Sequence, residues 1–241
     1  MAVTDHDTTA AVAEVRAAAR VRGIDAISGI EITAVENGRD VHVLAYFFDT
    51  GNRELESFLA AQREARMARV EAIGTRLASL GVPVNVEGLL RDARTQSGRS
   101  IGRPQVARAM VAAGHVVDTR EAFDRWLGND GPGFVPREGA TPEAVVEVIH
   151  RAGGMASLAH PGKTSIDGRI PALAAAGLDA IEAFHPDHDA ALVARYRAMA
   201  GSLGLLLTGG SDFHGDPAHG RTPGSVPLPQ AEWERLRHGR S

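Results

Sequence analysis

Apolar residues in this chain change their spacing from segment to segment, and the spacing predicts the elements. Ala2-Val3 reads as the tail of a strand, followed by the polar run Thr4-Asp5-His6-Asp7-Thr8. Thr8 or Thr9 can cap a helix running to about Arg22, with Val12 and Val15 on one face and Gly23 as its stop. Ile24–Ile32 is apolar and carries Glu31 inside it. Asn37-Gly38 is a hairpin signal that joins a strand over Ile30–Val35 to one over Val41–Tyr46. His42 lies on the returning strand, where it can face Glu31 across the pair. A glutamate inside an apolar strand is costly unless it faces water, is paired or ligates a metal.

From Asn52 to Leu80 the period becomes helical, with Leu55, Phe58, Leu59, Met67, Val70, Ile73 and Leu77 at three- and four-residue steps. Arg63, Arg66 and Arg69 recur along it at the same spacing, as a solvated face or as an anion-binding one. Short helices are expected over Gly88–Ala93, Pro104–Ala113 and Arg120–Leu127. Ser97–Pro104 reads as an arginine-bearing loop entering a helix near its Pro, a plausible anion site. Apart from a brief Val82–Val86 run, no strand pattern appears between Asn52 and Gly133. Residues 52–140 are therefore expected to be a mostly helical insertion, flanked by a barrel built from 1–51 and 141–241.

After Thr141-Pro142-Glu143, strands and helices alternate. A strand over Met155–Ala159 ends in His160-Pro161-Gly162, and a helix covers Ile170–Ala176. A strand over Leu178–Phe184 ends in His185-Pro186-Asp187-His188, and a helix covers Ala190–Leu203. The last strand, Leu205–Leu207, breaks into Gly209-Gly210-Ser211 and delivers Asp212 and His214. Alternating βα units argue for a parallel sheet or barrel, which builds sites at strand C-termini.

Composition narrows the chemistry. The 241 residues, 44% hydrophobic, suffice for one sizeable core or a core plus a small insertion. A net charge of −4 from 30 acidic and 26 basic residues offers no large basic field for duplex DNA. Lys163 is the only lysine. Cysteine is absent, so disulfides, thiolate metal sites and cysteine nucleophiles are excluded. There is no apolar run long enough to span a bilayer and no basic-plus-apolar leader, so a cytoplasmic protein without membrane partners is expected.

His6, His160, His185 and His214 fall at strand ends, and Glu31, His42 and Asp212 would join them on one rim. Mixed imidazole and carboxylate ligands fit Zn²⁺, Mn²⁺ or Fe²⁺. Such ions lower the pKa of a bound water and clamp phosphoester oxygens. No phosphate-cradling Gly-Lys-Ser/Thr loop, dinucleotide fingerprint or nucleophile elbow is present.

The ordered motifs Thr4-Asp5-His6-Asp7-Thr8, Gly29-Ile30-Glu31-Ile32, His42-Val43-Leu44-Ala45-Tyr46, Ala159-His160-Pro161 and Gly210-Ser211-Asp212-Phe213-His214-Gly215 resemble those of the PHP (polymerase and histidinol phosphatase) metallohydrolases. Within them the chain is most similar to the 3′,5′-nucleoside bisphosphate phosphatases and 5′–3′ exoribonucleases. The resemblance implies a distorted β/α barrel of about seven strands with two or three divalent ions, Mn²⁺ first among them. It implies that Glu31 bridges two metals, that His42 and His160 complete one site, and that Asp212 shares the other with Glu31. His6 and His214 would belong to a third. Glu31, Asp212 and His160 would carry the catalytic centre, and metal-activated water would attack phosphorus. Arg66, Arg69 and Arg103 would hold phosphates of a nucleotide or short oligoribonucleotide.

Proteins of this kind carry a strand with His-x-His, then Ser-Asp-Gly, upstream of the Thr-Asp-His-Asp motif. Met1 stands after that unit, so the expectation is either a start called too late or a truncated, poorly soluble or dimeric barrel of little activity. A histidinol-phosphate-type phosphatase and a non-catalytic nucleotide-binding barrel are the alternatives.

Overall fold

The computed structural model describes residues 1–95, 100–215 and 221–239. Five strands form one sheet in the order β1-β2-β3-β4-β5: Gly29–Glu36, Arg39–Tyr46, Met155–Leu158, Ala180–Phe184 and Leu206–Gly209. The first two pairings are antiparallel and the last two parallel, so the sheet is mixed. Asn37 and Gly38 both take positive φ (52° and 75°), the conformation a two-residue hairpin turn demands between β1 and β2. Ahead of β1, His6 makes a parallel bridge to Glu31: Glu31 N–H donates to Asp5 O at 3.1 Å and Asp7 N–H to Glu31 O at 2.9 Å. The resemblance implies about seven strands; five are found among the described residues.

The helix expected after Thr8 begins later than the sequence suggests. α1 spans Val12–Val21 with no side-chain cap, because Thr8 Oγ1 accepts instead from Ala10 N–H at 3.2 Å. α2, Arg53–Ser79, is started by Asn52, whose side chain accepts Leu55 N–H at 2.9 Å. At about 1.5 Å rise per residue it extends roughly 40 Å. That length lets it serve two cores. Leu55 and Leu59 pack with Ile30, Ile32, Val43 and Ile149 against the sheet. Met67, Val70, Ile73 and Leu77 pack into a second cluster with Leu90, Val106, Met110 and Leu127.

The second cluster is built with α3 (Val86–Thr95), α4 (Arg103–Ala112) and α5 (Thr119–Ala122), the last running into a π-turn over Phe123–Leu127. The brief Val82–Val86 run forms no strand; Val86 opens α3 and wedges against Gly74 of α2, where a Cβ would meet Val86 Cγ2 at 2.6 Å. Part of the expected Ser97–Pro104 loop, Ser97–Arg99, lies outside the described residues.

The chain returns to the sheet through α6 (Pro142–Arg151), capped by Thr141. A short helix α7, Pro161–Thr164, follows β3, and α8 (Ile170–Ala175) leads to β4. α9, Ala190–Leu203, is capped by Asp189 and stopped at Gly204, whose φ is 71°. α10, Gln230–His238, closes against β5. Among the described residues no helix is long and apolar enough to cross a membrane.

Candidate metal centre

β1, β2 and the loop after β3 bring three of the expected ligands to one point. Glu31 is buried on β1 and His42 lies on β2, two register positions from the residue opposite Glu31. They meet diagonally, with His42 Nδ1 2.6 Å from Glu31 Oε1. His160 Nε2 lies 3.2 Å from the same Oε1 and 3.3 Å from His42 Nδ1. His6 comes from the bridge beside β1, its Nδ1 3.8 Å from Glu31 Oε2. Ligand atoms of His6, Glu31 and His42 all lie within 4.8 Å of one another. The His6 and His214 rings are 6.0 Å apart, and His214 is the more exposed.

Electrostatics favour cation binding here. Burial alone would raise the Glu31 carboxyl, but His6 and His42 beside it hold it well below the ordinary carboxylate range. Burial depresses His6 to about 4, so it is a neutral imidazole at pH 7. His160 moves up, since its bond to Glu31 outweighs burial. Nδ1 of His6 and Nδ1 of His160 are buried without hydrogen-bond partners. Imidazole nitrogens converging on one buried carboxylate are the donor set that Zn²⁺, Mn²⁺ and Fe²⁺ accept. The residues present fit a divalent ion.

Asp212 falls outside the His6, Glu31 and His42 group. Its Oδ2 lies 2.7 Å from Arg221 Nη1, 3.1 Å from Lys163 Nζ and 3.3 Å from His185 Nε2. Arg221 also grips Asp187 with two bonds of 2.7 Å. His185, Asp187 and Asp212 form a second group with ligand atoms within 4.8 Å. The imidazole argues against ligation by His185, however. Its Nδ1 accepts Asp187 N–H at 3.1 Å, which leaves the ring proton of the neutral form on Nε2. Contacts with His185, Lys163 and His214 outweigh burial and keep Asp212 well below its usual range.

Between the two groups sits Glu182 of β4, whose Oε2 accepts His160 N–H at 2.9 Å. Burial lifts it to about 7, with Glu31 and Asp212 adding to the rise and His160 opposing it.

The expected phosphate-binding arginines gather beside this centre. Asp7, next in sequence to His6, is buried; Oδ1 accepts Thr33 N–H at 2.8 Å and Oδ2 accepts Arg66 Nε–H. Arg63 donates to Asp7 O at 3.0 Å, and Arg137 Nη2 approaches Oδ2 at 3.8 Å. Asp40 takes two bonds from Arg69 Nη1, at 3.0 and 2.8 Å, and one from Arg103 at 3.3 Å. Arg103 also donates to Leu127 O and Asn129 and lies over the Phe123 and Phe134 rings. Five guanidinium groups thus gather about three carboxylates, Asp7, Asp40 and Glu56, the last paired with Arg63 Nη2 at 2.8 Å, a local excess of positive charge. Burial, reinforced by Arg66, lowers Arg137 to about 10. Arg69 Nη2 and Arg137 Nε and Nη2 are buried with no hydrogen-bond partner.

Sequence reasoning did not single out Asp7, Asp40, Arg137, Glu182 or Arg221 for these roles. Glu182 carried a usable signal, an acidic residue inside the apolar run Ala180–Phe184, the same that marked Glu31. Arg137 carried none, since it lies in an irregular segment.

No protein-family model matches the chain. It is 33% identical over 245 residues to a 3′,5′-nucleoside bisphosphate phosphatase of Chromobacterium violaceum, covering 98% of this chain and 85% of that protein. It is 33% identical over 228 residues to the 5′–3′ exoribonuclease Rnm of Salmonella typhimurium, covering 89% of this chain and 74% of that protein. Among solved structures, a protein of Bifidobacterium adolescentis described as a metal-dependent phosphoesterase superposes with a TM-score of 0.86 at 30% identity. That match covers 100% of this chain and 85% of the other.

Proposed function

Because this chain belongs to the family of metal-dependent phosphoesterases that includes the 3′,5′-nucleoside bisphosphate phosphatase and the 5′–3′ exoribonuclease Rnm, we propose that it hydrolyses nucleoside 3′,5′-bisphosphates and, by the same attack of water on phosphorus, the phosphodiester at short RNA 5′ ends. In this reading residues 1–51 and 141–241 make a distorted β/α barrel of PHP type, and 52–140 is a helical insertion that brings arginines to its rim. The enzyme is read as cytoplasmic.

The observation that carries the proposal is a pair of consecutive residues. His6 belongs to the imidazole cluster around Glu31, and Asp7 anchors the arginines. A substrate with two phosphate groups can therefore set one against the metal centre and the other against the guanidinium groups. Planar guanidinium forks suit the second phosphate.

Glu31, His42 and His160 would hold the ion, with His6 alongside and Asp212 and His214 available at the far side. A divalent ion bound there, Mn²⁺ in this reading with Zn²⁺ or Fe²⁺ as the other candidates, polarises phosphoryl oxygens and makes water a better nucleophile near neutral pH. The protein's share is to fix geometry and hold charge. Burial keeps His6 neutral and able to ligate. Lys163 and Arg221 supply positive charge next to Asp212, charge of the kind that attracts a phosphate anion.

Phosphate release from adenosine 3′,5′-bisphosphate, followed with Mn²⁺ and with a chelator, tests this reading. Release that stops with chelator and in Glu31→Gln is the expected result. Release that persists in Glu31→Gln would refute the assignment.

A further inference from the structure

The centre contains a buried carboxylate that the proposed chemistry leaves unused. Glu182 lies in the apolar strand β4, 5% exposed, and one of its oxygens is committed: Oε2 accepts the backbone N–H of His160 at 2.9 Å. The other, Oε1, faces Gly210, where a Cβ would stand 3.4 Å away.

His160 needs that anchor. Its backbone takes φ 28° and ψ 57°, a region that non-glycine residues populate sparsely. This twist turns the chain sharply from β3 into α7, and it sets the direction of the His160 Cα–Cβ bond. The ring then reaches Glu31 Oε1 at 3.2 Å and His42 Nδ1 at 3.3 Å. A second side chain braces the same loop two residues on. His188 Nε2 accepts Gly162 N–H at 3.3 Å while its Nδ1 lies 3.0 Å from Ala183 O. A Cβ on Gly162 would come within 2.8 Å of His188 Nε2, so the fit is close.

We infer that Glu182 is a positioning residue for the metal centre, acting as a hydrogen-bond acceptor that holds His160 in its left-handed conformation, and is neither a ligand nor a base. Without the acceptor, the His160 N–H would be buried and unpaired, and the loop would relax toward an extended φ that swings the imidazole away from Glu31. The inference rests on His160 serving the proposed metal centre and adds the residue that holds it there.

The test compares wild-type protein with Glu182→Gln, which keeps an acceptor oxygen in place, and Glu182→Leu, which removes it. Two quantities are read: hydrogen exchange of the His160 amide by NMR, and Mn²⁺ affinity by titration calorimetry. Glu182→Gln should match wild type within about threefold in both. Glu182→Leu should speed exchange at least about tenfold and weaken Mn²⁺ binding about 10- to 100-fold. Equal protection in all three proteins would overturn the inference. So would Glu182→Gln losing as much Mn²⁺ affinity as Glu182→Leu with the amide still protected, since that marks a direct ligand. Fast exchange of the amide in wild-type protein alone also overturns it, so the test survives a Leu variant that does not fold. Wild-type protein that binds no Mn²⁺ refutes the metal centre instead, and the exchange comparison still decides the role of Glu182.

Discussion

Glu31 and His42 are not register partners, yet they make the shortest contact of the imidazole cluster, 2.6 Å from Oε1 to Nδ1. Glu31 stands opposite Leu44 and His42 opposite Thr33, so the two side chains cross the hairpin on a diagonal. The diagonal leaves room for His160 to reach the same carboxylate oxygen. One carboxylate with three imidazoles about it is the geometry on which the account depends.

Metal content should therefore depend more on His160 than on His6. The His160 side chain is 9% exposed and within 3.3 Å of both Glu31 and His42, whereas the His6 side chain is 28% exposed and 3.8 Å from Glu31. His160→Ala should lose more bound ion than His6→Ala when both are dialysed against Mn²⁺ and measured by elemental analysis. Equal loss would contradict this ordering.

Arg103→Lys should raise KM for a nucleoside 3′,5′-bisphosphate about tenfold, the scale of one charge-assisted hydrogen bond. Lysine cannot reproduce the fork that reaches Asp40, Leu127 O and Asn129 together, nor the packing on Phe123 and Phe134. The melting temperature should fall by only a few degrees. A large fall with unchanged KM would make Arg103 purely structural.

Asp40 gives a pH prediction. Burial pushes its carboxyl up, but Arg69 and Arg103 hold it below the ordinary value. A carboxyl depressed in the folded state stabilises the protein above its unfolded pKa of about 3.9. That stabilisation is lost as pH falls through the folded value. Asp40→Asn should cost about 1–3 kcal/mol at pH 7 and flatten the acid side of the stability curve. Denaturant melts between pH 7 and pH 2 read both, and an unchanged acid limb would contradict the pairing.

Gly74→Ala probes the second core. Its Cβ would press on Val86 Cγ2 at 2.6 Å, where α2 meets α3. Overpacking of this kind costs about 1–3 kcal/mol, against a small gain in helix propensity. Thermal unfolding should shift down by several degrees. A stabilised variant would mean that α3 is loosely held.

Much of the fold was legible because its signals are local. Asn37-Gly38 fixed the hairpin, the helical patterns from Asn52 and over Ala190–Leu203 located α2 and α9, and apolar runs located β3, β4 and β5. The brief Val82–Val86 alternation makes no strand because it is served by packing between helices, Val86 against Gly74. Strand-end histidines were visible, but their partners depend on register and loop path. Asp212 meeting Lys163 and Arg221, and Asp40 gathering Arg69 and Arg103 from different helices, are contacts between segments far apart in sequence. No spacing rule announces them.

The central claim is that one substrate phosphate meets the imidazole cluster while a second meets the arginines. The ratio of kcat/KM for adenosine 3′,5′-bisphosphate to that for adenosine 5′-monophosphate, measured with Mn²⁺, tests it most directly. The account predicts a ratio of about 100 or more, since a second phosphate on two charged donors is worth roughly 3 kcal/mol. The ratio should collapse in an Arg69→Met, Arg103→Met double variant. A ratio near one in the wild-type enzyme would contradict the account.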